Sequence, residues 1–109
     1  MTVPEPIHTH LPFDEKWLEA WCHHWQVVEL AFFGSVLRED FRPDSDVDLL
    51  IRFSDRSQWS LLDHIAMEEE LTAFFGRKVD LVSRRAVEAS HNQFRRRHIL
   101  DSAQVIYAA

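Results

Sequence analysis

Glycine, proline, cysteine and long apolar runs are scarce in this chain, and each scarcity excludes a class of protein. The 109 residues include two glycines, four prolines and one cysteine, so loops should be few and an internal disulfide is impossible. A single thiol fits a reducing cytoplasm, which is the predicted location. No apolar run reaches the roughly 18–20 residues that span a bilayer, and the N-terminus lacks the basic segment of a secretory signal. We therefore expect no membrane partner.

Charge limits the partners further. The net charge of −6 argues against a broad nucleic-acid-binding surface, although the charge is unevenly spread. Residues 1–76 hold 15 acids and 5 bases, whereas residues 77–109 hold 3 acids and 7 bases. The basic C-terminal part could face an acidic partner or a phosphate, or could be the solvated face of a helix.

The order of apolar runs predicts one small α/β (α+β) domain over residues 13–109, after an irregular, proline-containing lead-in over residues 1–12. A mixed β-sheet flanked by helices follows from the alternation of the two element types. The predicted helices are Phe13 to Trp25, Ser35 to Asp40, Trp59 to Phe75 and Val87 to Asp101. The predicted strands are Val27 to Phe33, Val47 to Phe53, Lys78 to Val82 and Val105 to Tyr107.

The first predicted helix carries an aromatic stripe. Phe13, Trp17, Trp21 and Trp25 recur every four residues, which places them on one helical face. Such a stripe is more often core than a ligand site. Cys22 lies within the same helix and is also expected to pack in the core rather than act as a nucleophile.

Two acids interrupt an otherwise apolar strand. Asp46 and Asp48 flank Val47 and are followed by three apolar residues, which indicates a strand buried on both faces. Residues two apart on a strand point to the same face, about 6.6 Å apart. Buried carboxylates are costly unless their charge is offset, and carboxylates without His or Cys partners select hard cations such as Mg²⁺. The alternative is a pair of acids at the solvent edge of a strand.

A Gly-Ser pair precedes these acids. Gly34 and Ser35 lie where a predicted strand meets a predicted short helix. A glycine there lets the backbone approach a ligand closely, and a helix N-terminus with a serine hydroxyl suits a phosphate. Alone the pair is a common turn, but followed at this spacing by Asp-x-Asp it becomes a specific signal.

Together these motifs resemble the minimal nucleotidyltransferases, a branch of the DNA polymerase beta superfamily. The residues that carry the resemblance are Gly34-Ser35, Arg38, Asp46-Val47-Asp48 and Val79-Asp80-Leu81-Val82. The similarity extends from about Val27 to Tyr107, and the small size of the chain is typical of the minimal branch. The resemblance implies the nucleotidyltransferase fold, with a small mixed sheet between helices.

The resemblance also implies roles for individual residues. Asp46, Asp48 and Asp80 would form an acidic triad that holds Mg²⁺, and Asp80 could accept the proton of the incoming hydroxyl. Gly34 and Ser35 would hold the β- and γ-phosphates of ATP, and Arg38 would neutralise phosphate charge. AMP would pass to a hydroxyl with release of pyrophosphate.

A partner is implied in the same way. Such short proteins resemble antitoxins that attach AMP to a tyrosine of a HEPN-type ribonuclease toxin and silence it. The tryptophan stripe or the basic C-terminal part could supply the contact with that toxin.

One departure from the family pattern leaves an alternative open. The family often has glycine after the motif arginine, whereas Glu39 and then Asp40 follow Arg38 here. Acids beside a triphosphate could weaken nucleotide binding, so the alternative function is a catalytically silent antitoxin that neutralises its toxin by stoichiometric binding. A third hypothesis, transfer to RNA or a small molecule, is disfavoured by the acidic first 76 residues and the absence of a second domain.

Overall fold

The computed structural model describes residues 13–34 and 46–109. In chain order the described helices and strands are α1 (Glu15–His24), β1 (Val27–Phe33), β2 (Val47–Phe53), α2 (Leu61–Phe75), β3 (Val79–Ser83), α3 (Arg84–Glu88), α4 (Gln93–Ser102) and β4 (Gln104–Ala108). The predicted lead-in over residues 1–12, the short helix over residues 35–40 and the turn over residues 42–45 lie outside the described residues.

Four strands form one sheet in the order β3-β2-β1-β4. β1 pairs antiparallel with both β2 and β4, whereas β2 and β3 run parallel. The predicted mixed sheet is therefore confirmed, and the bounds predicted for β1 and β2 agree with the structure. Parallel neighbours need a crossover connection, which α2 supplies between β2 and β3.

Apolar residues cover both faces of the sheet because alternate side chains of a strand point to opposite sides. One face, with Leu30, Leu49 and Leu81, packs against buried residues of α1 and α2. The other face, with Ala31 and Leu50, packs against Val87 of α3 and Ile99 of α4 in a smaller cluster.

The aromatic stripe of α1 is mostly core, as predicted. The helix begins after Asp14, whose side chain caps the N–H groups of Lys16 and Trp17. Trp21 and Trp25 are buried, whereas Trp17 is 38% exposed and stacks on Phe74 of α2 with ring centroids 3.9 Å apart. The aromatic stripe therefore joins α1 to α2.

α2 ends at Phe75 as predicted, but it begins at Leu61 rather than at Trp59, and its predicted apolar face is only partly buried. Ser60 and Asp63 form a capping box at its start, and Gly76 ends it in a left-handed conformation. Helical periodicity predicts an apolar face formed by Trp59, Leu62, Ile65, Ala66, Leu71 and Phe74, but Leu62 is 77% exposed and Ile65 is 42% exposed. The periodicity was misleading because polar side chains of α2 also face the sheet.

The basic segment predicted as one helix from Val87 to Asp101 is instead two helices, so that prediction was wrong. α3 begins at Arg84 directly after β3, and α4 begins after Asn92, whose side chain accepts from Arg95 N–H at 3.1 Å. Ser90 and Asn92 compete for backbone hydrogen bonds and so favour helix ends over helix interiors.

Within the described part of the chain, the structure contains no helix with the length and apolarity needed to cross a membrane.

Glu70, an exposed residue of α2, ties that helix to α1. Its Oε1 atom accepts hydrogen bonds from the indole Nε1 of Trp21 and of Trp25, both at 2.9 Å. Trp25 in turn accepts from Trp59 Nε1 at its backbone oxygen, 2.9 Å away. One carboxylate thus satisfies two indole donors from buried side chains.

Replacing Glu70 with alanine should leave both indole N–H groups without this acceptor. We expect the free energy of unfolding to fall by about 1–2 kcal/mol, because a buried donor without a partner costs roughly that much. Urea denaturation followed by tryptophan fluorescence measures the change.

Two variants control for charge and shape. Glu69→Ala removes the same charge from an exposed neighbour and should change stability by less than about 0.5 kcal/mol. Glu70→Gln keeps an acceptor oxygen and should recover most of the loss. Equal stability of the Glu70→Ala and Glu69→Ala proteins would contradict the assigned role.

Candidate active site

The acids of the sequence motif lie at one end of the parallel strand pair. Asp48 of β2 and Asp80 of β3 are register partners, one residue after the start of each strand. Asp46 directly precedes β2, two positions before Asp48. Register partners on adjacent strands point to the same face, so Asp48 and Asp80 project side by side, with Asp46 continuing the alternation.

These acids share the face of the smaller apolar cluster. Leu50 follows Asp48 by two residues and Val82 follows Asp80 by two residues, and both belong to that cluster. Leu50 and Val82 share that cluster with Val87 of α3 and Ile99 of α4, and they lie further along their strands than the acids do. Asp48 is half-buried, whereas Asp46 and Asp80 are exposed. The acids therefore lie at the open end of a face that is otherwise packed.

Gly34 lies beside Asp48, whose carboxylate occupies the space that a side chain at position 34 would need. β1 ends at Phe33, whose register partner is Asp48, and Gly34 follows in a left-handed conformation with φ of +72°. A Cβ atom at position 34 would lie 2.5 Å from Asp48 Oδ2, which is closer than real Cβ contacts. The left-handed conformation favours glycine, and a larger residue would also have to displace the Asp48 carboxylate. The glycine was predicted to let the backbone approach a ligand closely, and that role stays a prediction. What the structure shows is that the Asp48 carboxylate lies where a Cβ atom at position 34 would be.

The arrangement fits a hard divalent cation by its donor chemistry and by the space that Gly34 leaves beside Asp48 Oδ2. The carboxylates do not form a complete metal-binding site in this structure, however. Among residues 13–34 and 46–109, no group of three or more His, Cys, Asp or Glu side chains could hold a metal ion. Convergence of Asp46, Asp48 and Asp80 on one cation stays a prediction.

The predicted phosphate-binding residues Ser35 and Arg38 lie outside the described residues, as does Glu39, on which the alternative function depends. Of the predicted nucleotide-binding residues, the structure places Gly34 alone. Sequence reasoning missed the contact of Gly34 with Asp48, since a separation of 14 positions carries no local signal.

Cys22 lies away from this chemistry. It is fully buried, and burial raises the pKa of its thiol to about 12, with a smaller contribution from Glu19. A thiol that stays protonated and inaccessible is a poor nucleophile. The prediction that Cys22 packs in the core is confirmed.

A cavity of about 670 Å³ lies at the other end of the same strand pair, beyond the C-terminal ends of β2 and β3. Arg52, His64 and Arg85 are among the residues that line it, and the acids of the motif are not. We place the candidate active site at the acids rather than in this cavity, because the acids belong to the sequence motif and combine carboxylate ligands with a neighbouring glycine that has no side chain.

Alanine at position 34 should disturb Asp48, whereas alanine at position 76 should not. Gly34 and Gly76 have nearly the same left-handed φ, +72° and +71°, but a Cβ at position 76 meets nothing within 4 Å. We expect Gly76→Ala to cost about 1–2 kcal/mol for the backbone alone, and Gly34→Ala to cost measurably more. Chemical denaturation of both variants measures the difference.

The excess cost should depend on the carboxylate. In an Asp48→Ala background, Gly34→Ala should cost no more than Gly76→Ala. An excess that persists without the Asp48 side chain, or equal costs in the wild-type background, would show that the Gly34–Asp48 contact is not formed.

Comparison with known proteins identifies the family of this chain. The nucleotidyltransferase domain family matches residues 14–106. Protein adenylyltransferase MntA of Thermococcus cleftensis is 41% identical over 63 residues, which cover 58% of this chain and 62% of that relative. The matched segment thus spans less than two thirds of the relative's length.

Solved structures show the same fold. A structure described as a candidate minimal nucleotidyltransferase is 32% identical, with a TM-score of 0.62, and the match covers 82% of this chain and 85% of the other. A toxin–antitoxin complex with AMP-PNP gives a TM-score of 0.68 at 14% identity, covering 89% of this chain and 75% of the other.

The toxin–antitoxin complex MntA–HepT gives a TM-score of 0.59 at 13% identity, covering 87% of this chain and 70% of the other. At these low identities the two toxin–antitoxin complexes show a shared fold. The predicted fold and the predicted family are both confirmed. The chain belongs to the nucleotidyltransferase domain family, as its Gly-Ser and Asp-x-Asp motifs predict.

Proposed function

We propose that this protein is a Mg²⁺- and ATP-dependent adenylyltransferase that transfers AMP to a hydroxyl of a partner protein. The contact between Gly34 and Asp48, beside the register pair of Asp48 and Asp80, is the observation that carries the proposal. Gly34, which has no side chain, follows the end of β1 and lies beside these carboxylates. Such a site suits a charged, metal-bound substrate rather than an apolar one.

Asp46, Asp48 and Asp80 would hold the metal. When bound, Mg²⁺ would neutralise phosphate charge and favour attack at phosphorus. Asp80 would accept the proton of the incoming hydroxyl as its oxygen bonds to the α-phosphorus of ATP. The bond from that phosphorus to the bridging oxygen breaks, and pyrophosphate leaves with the electron pair.

Binding and orientation would supply most of the rate enhancement. Gly34, and Ser35 and Arg38 beyond the described residues, would hold the β- and γ-phosphates. This role fits a glycine whose missing side chain leaves the backbone accessible beside Asp48.

The acceptor in this proposal is a tyrosine of a HEPN-type ribonuclease toxin, which makes the protein an antitoxin of cytoplasmic location. Support comes from the relative named as a protein adenylyltransferase and from the fold shared with MntA–HepT. The fold shared with a complex that holds AMP-PNP supports ATP as the donor.

Changing Asp48 to asparagine should abolish AMP transfer and leave the fold intact, since the amide keeps the shape but loses the negative charge. The test is the intact mass of the partner protein encoded beside this chain, after incubation with Mg²⁺ and ATP. Asp101→Asn is the matched control, because Asp101 is 73% exposed on α4. The control should transfer AMP at the wild-type rate.

The same experiment separates enzyme from binder. Gain of AMP-sized steps on a tyrosine with wild-type protein, and none with Asp48→Asn, supports catalysis. If wild-type and Asp48→Asn protein neutralise the toxin equally and the toxin gains no mass, the proposal is rejected in favour of stoichiometric binding.

A further inference from the structure

β3 forms one edge of the described sheet. It pairs with β2 on one side only, so alternate N–H and C=O groups face away from the sheet. Such an edge usually needs cover, because unpaired backbone groups are costly when buried and invite pairing with other chains when exposed. In this protein side chains of α2 provide the cover.

Three polar residues of α2 replace the missing neighbour strand. His64, Glu68 and Thr72 are spaced four apart, so they lie in a row along one helical face. His64 Nε2 lies 2.9 Å from the backbone oxygen of Leu81, and Glu68 Oε2 accepts from Leu81 N–H at 2.9 Å. Thr72 Oγ1 accepts from Val79 N–H at 3.2 Å. We call these three residues the polar row.

The polar row holds the two residues that flank Asp80. Val79 is fixed by Thr72, and Leu81 is fixed at both its N–H and its oxygen. Asp80 itself is exposed, so its place is determined by the backbone on either side of it. That backbone sets the register that puts Asp80 opposite Asp48.

Packing alone does not account for these residues. Glu68 and Thr72 lie beside the buried Met67 and Leu71 on α2, where apolar side chains would also bury surface. Polar groups placed there lose hydration and must recover it in hydrogen bonds. What the polar row adds is direction, since a hydrogen bond fixes the distance and angle of a backbone group in a way that apolar contact does not.

We propose that His64, Glu68 and Thr72 are positioning residues for Asp80, which hold it in register with Asp48 for binding of the metal–nucleotide complex. This inference rests on the proposed function. The polar row acts through the backbone of β3, and none of its members contacts the substrate.

The test compares variants by Mn²⁺ binding in the presence of AMP-PNP, measured by calorimetry. Glu68→Ala and Thr72→Val should each weaken Mn²⁺ binding by about tenfold, as loss of supporting hydrogen bonds does at metal sites. Glu68→Gln and Thr72→Ser keep an acceptor oxygen and should restore binding. Amide hydrogen exchange at Leu81 should accelerate in Glu68→Ala and recover in Glu68→Gln.

Glu70→Ala is the control for general destabilisation. Glu70 lies on the same helix but bonds to α1 rather than to β3, so Mn²⁺ binding should stay at the wild-type value. Unchanged Mn²⁺ binding in both Glu68→Ala and Thr72→Val would overturn the inference, and so would equal weakening by Glu70→Ala.

Failure of the proposed function has a different signature. If wild-type protein binds no Mn²⁺ with AMP-PNP, or if Asp48→Asn binds as well as wild type, then the metal site itself is wrong and the inference falls with it. If Asp48→Asn loses binding while the polar-row variants keep it, the inference alone is wrong.

Discussion

Parallel pairing of β2 with β3 is the constraint on which the candidate site depends. It makes Asp48 and Asp80 register partners, although 32 positions separate them in the sequence. Parallel pairing requires a crossover, and α2 supplies it while packing Met67 and Leu71 into the core. The same helix therefore connects the two acid-bearing strands and supports the larger core cluster.

The end of β1 completes the arrangement. Because β1 runs antiparallel to β2, its last residue reaches the level of Asp48, and Gly34 follows directly. A Cβ atom at position 34 would have to displace the Asp48 carboxylate. Three separate segments thus meet at one end of the sheet, and a site of this kind can join a cation to a phosphate chain without extra domains.

Local patterns predicted the strands well and the helices less well. β1 and β2 have strong runs of β-branched and aromatic residues with clear breaks, so their bounds were predicted correctly. The exposed Leu62 and the polar row are exceptions to the usual rule that the apolar residues of a helix face the sheet, which Met67 and Leu71 of α2 follow. That reversal depends on β3 being an edge strand, which no local pattern reveals.

The candidate site could be predicted only in part, for a similar reason. The alternation of Asp46 and Asp48 in an apolar strand is visible in the sequence. The third acid, Asp80, is recognisable in a later apolar strand. The contact of Gly34 with Asp48 and the support of Asp80 by α2 arise from tertiary pairing, which the sequence pattern does not specify. The roles of Ser35 and Arg38 stay predictions.

The most direct test of the central claim is a crystal structure of this protein with Mn²⁺ and AMP-PNP, with the metal located by anomalous scattering. The account predicts an anomalous peak at coordination distance, about 2.0–2.3 Å, from carboxylate oxygens of Asp46 and Asp48, with nucleotide phosphates beside Gly34. Metal and nucleotide bound elsewhere, for example in the cavity lined by Arg52 and Arg85, with no peak at the acids, would contradict it.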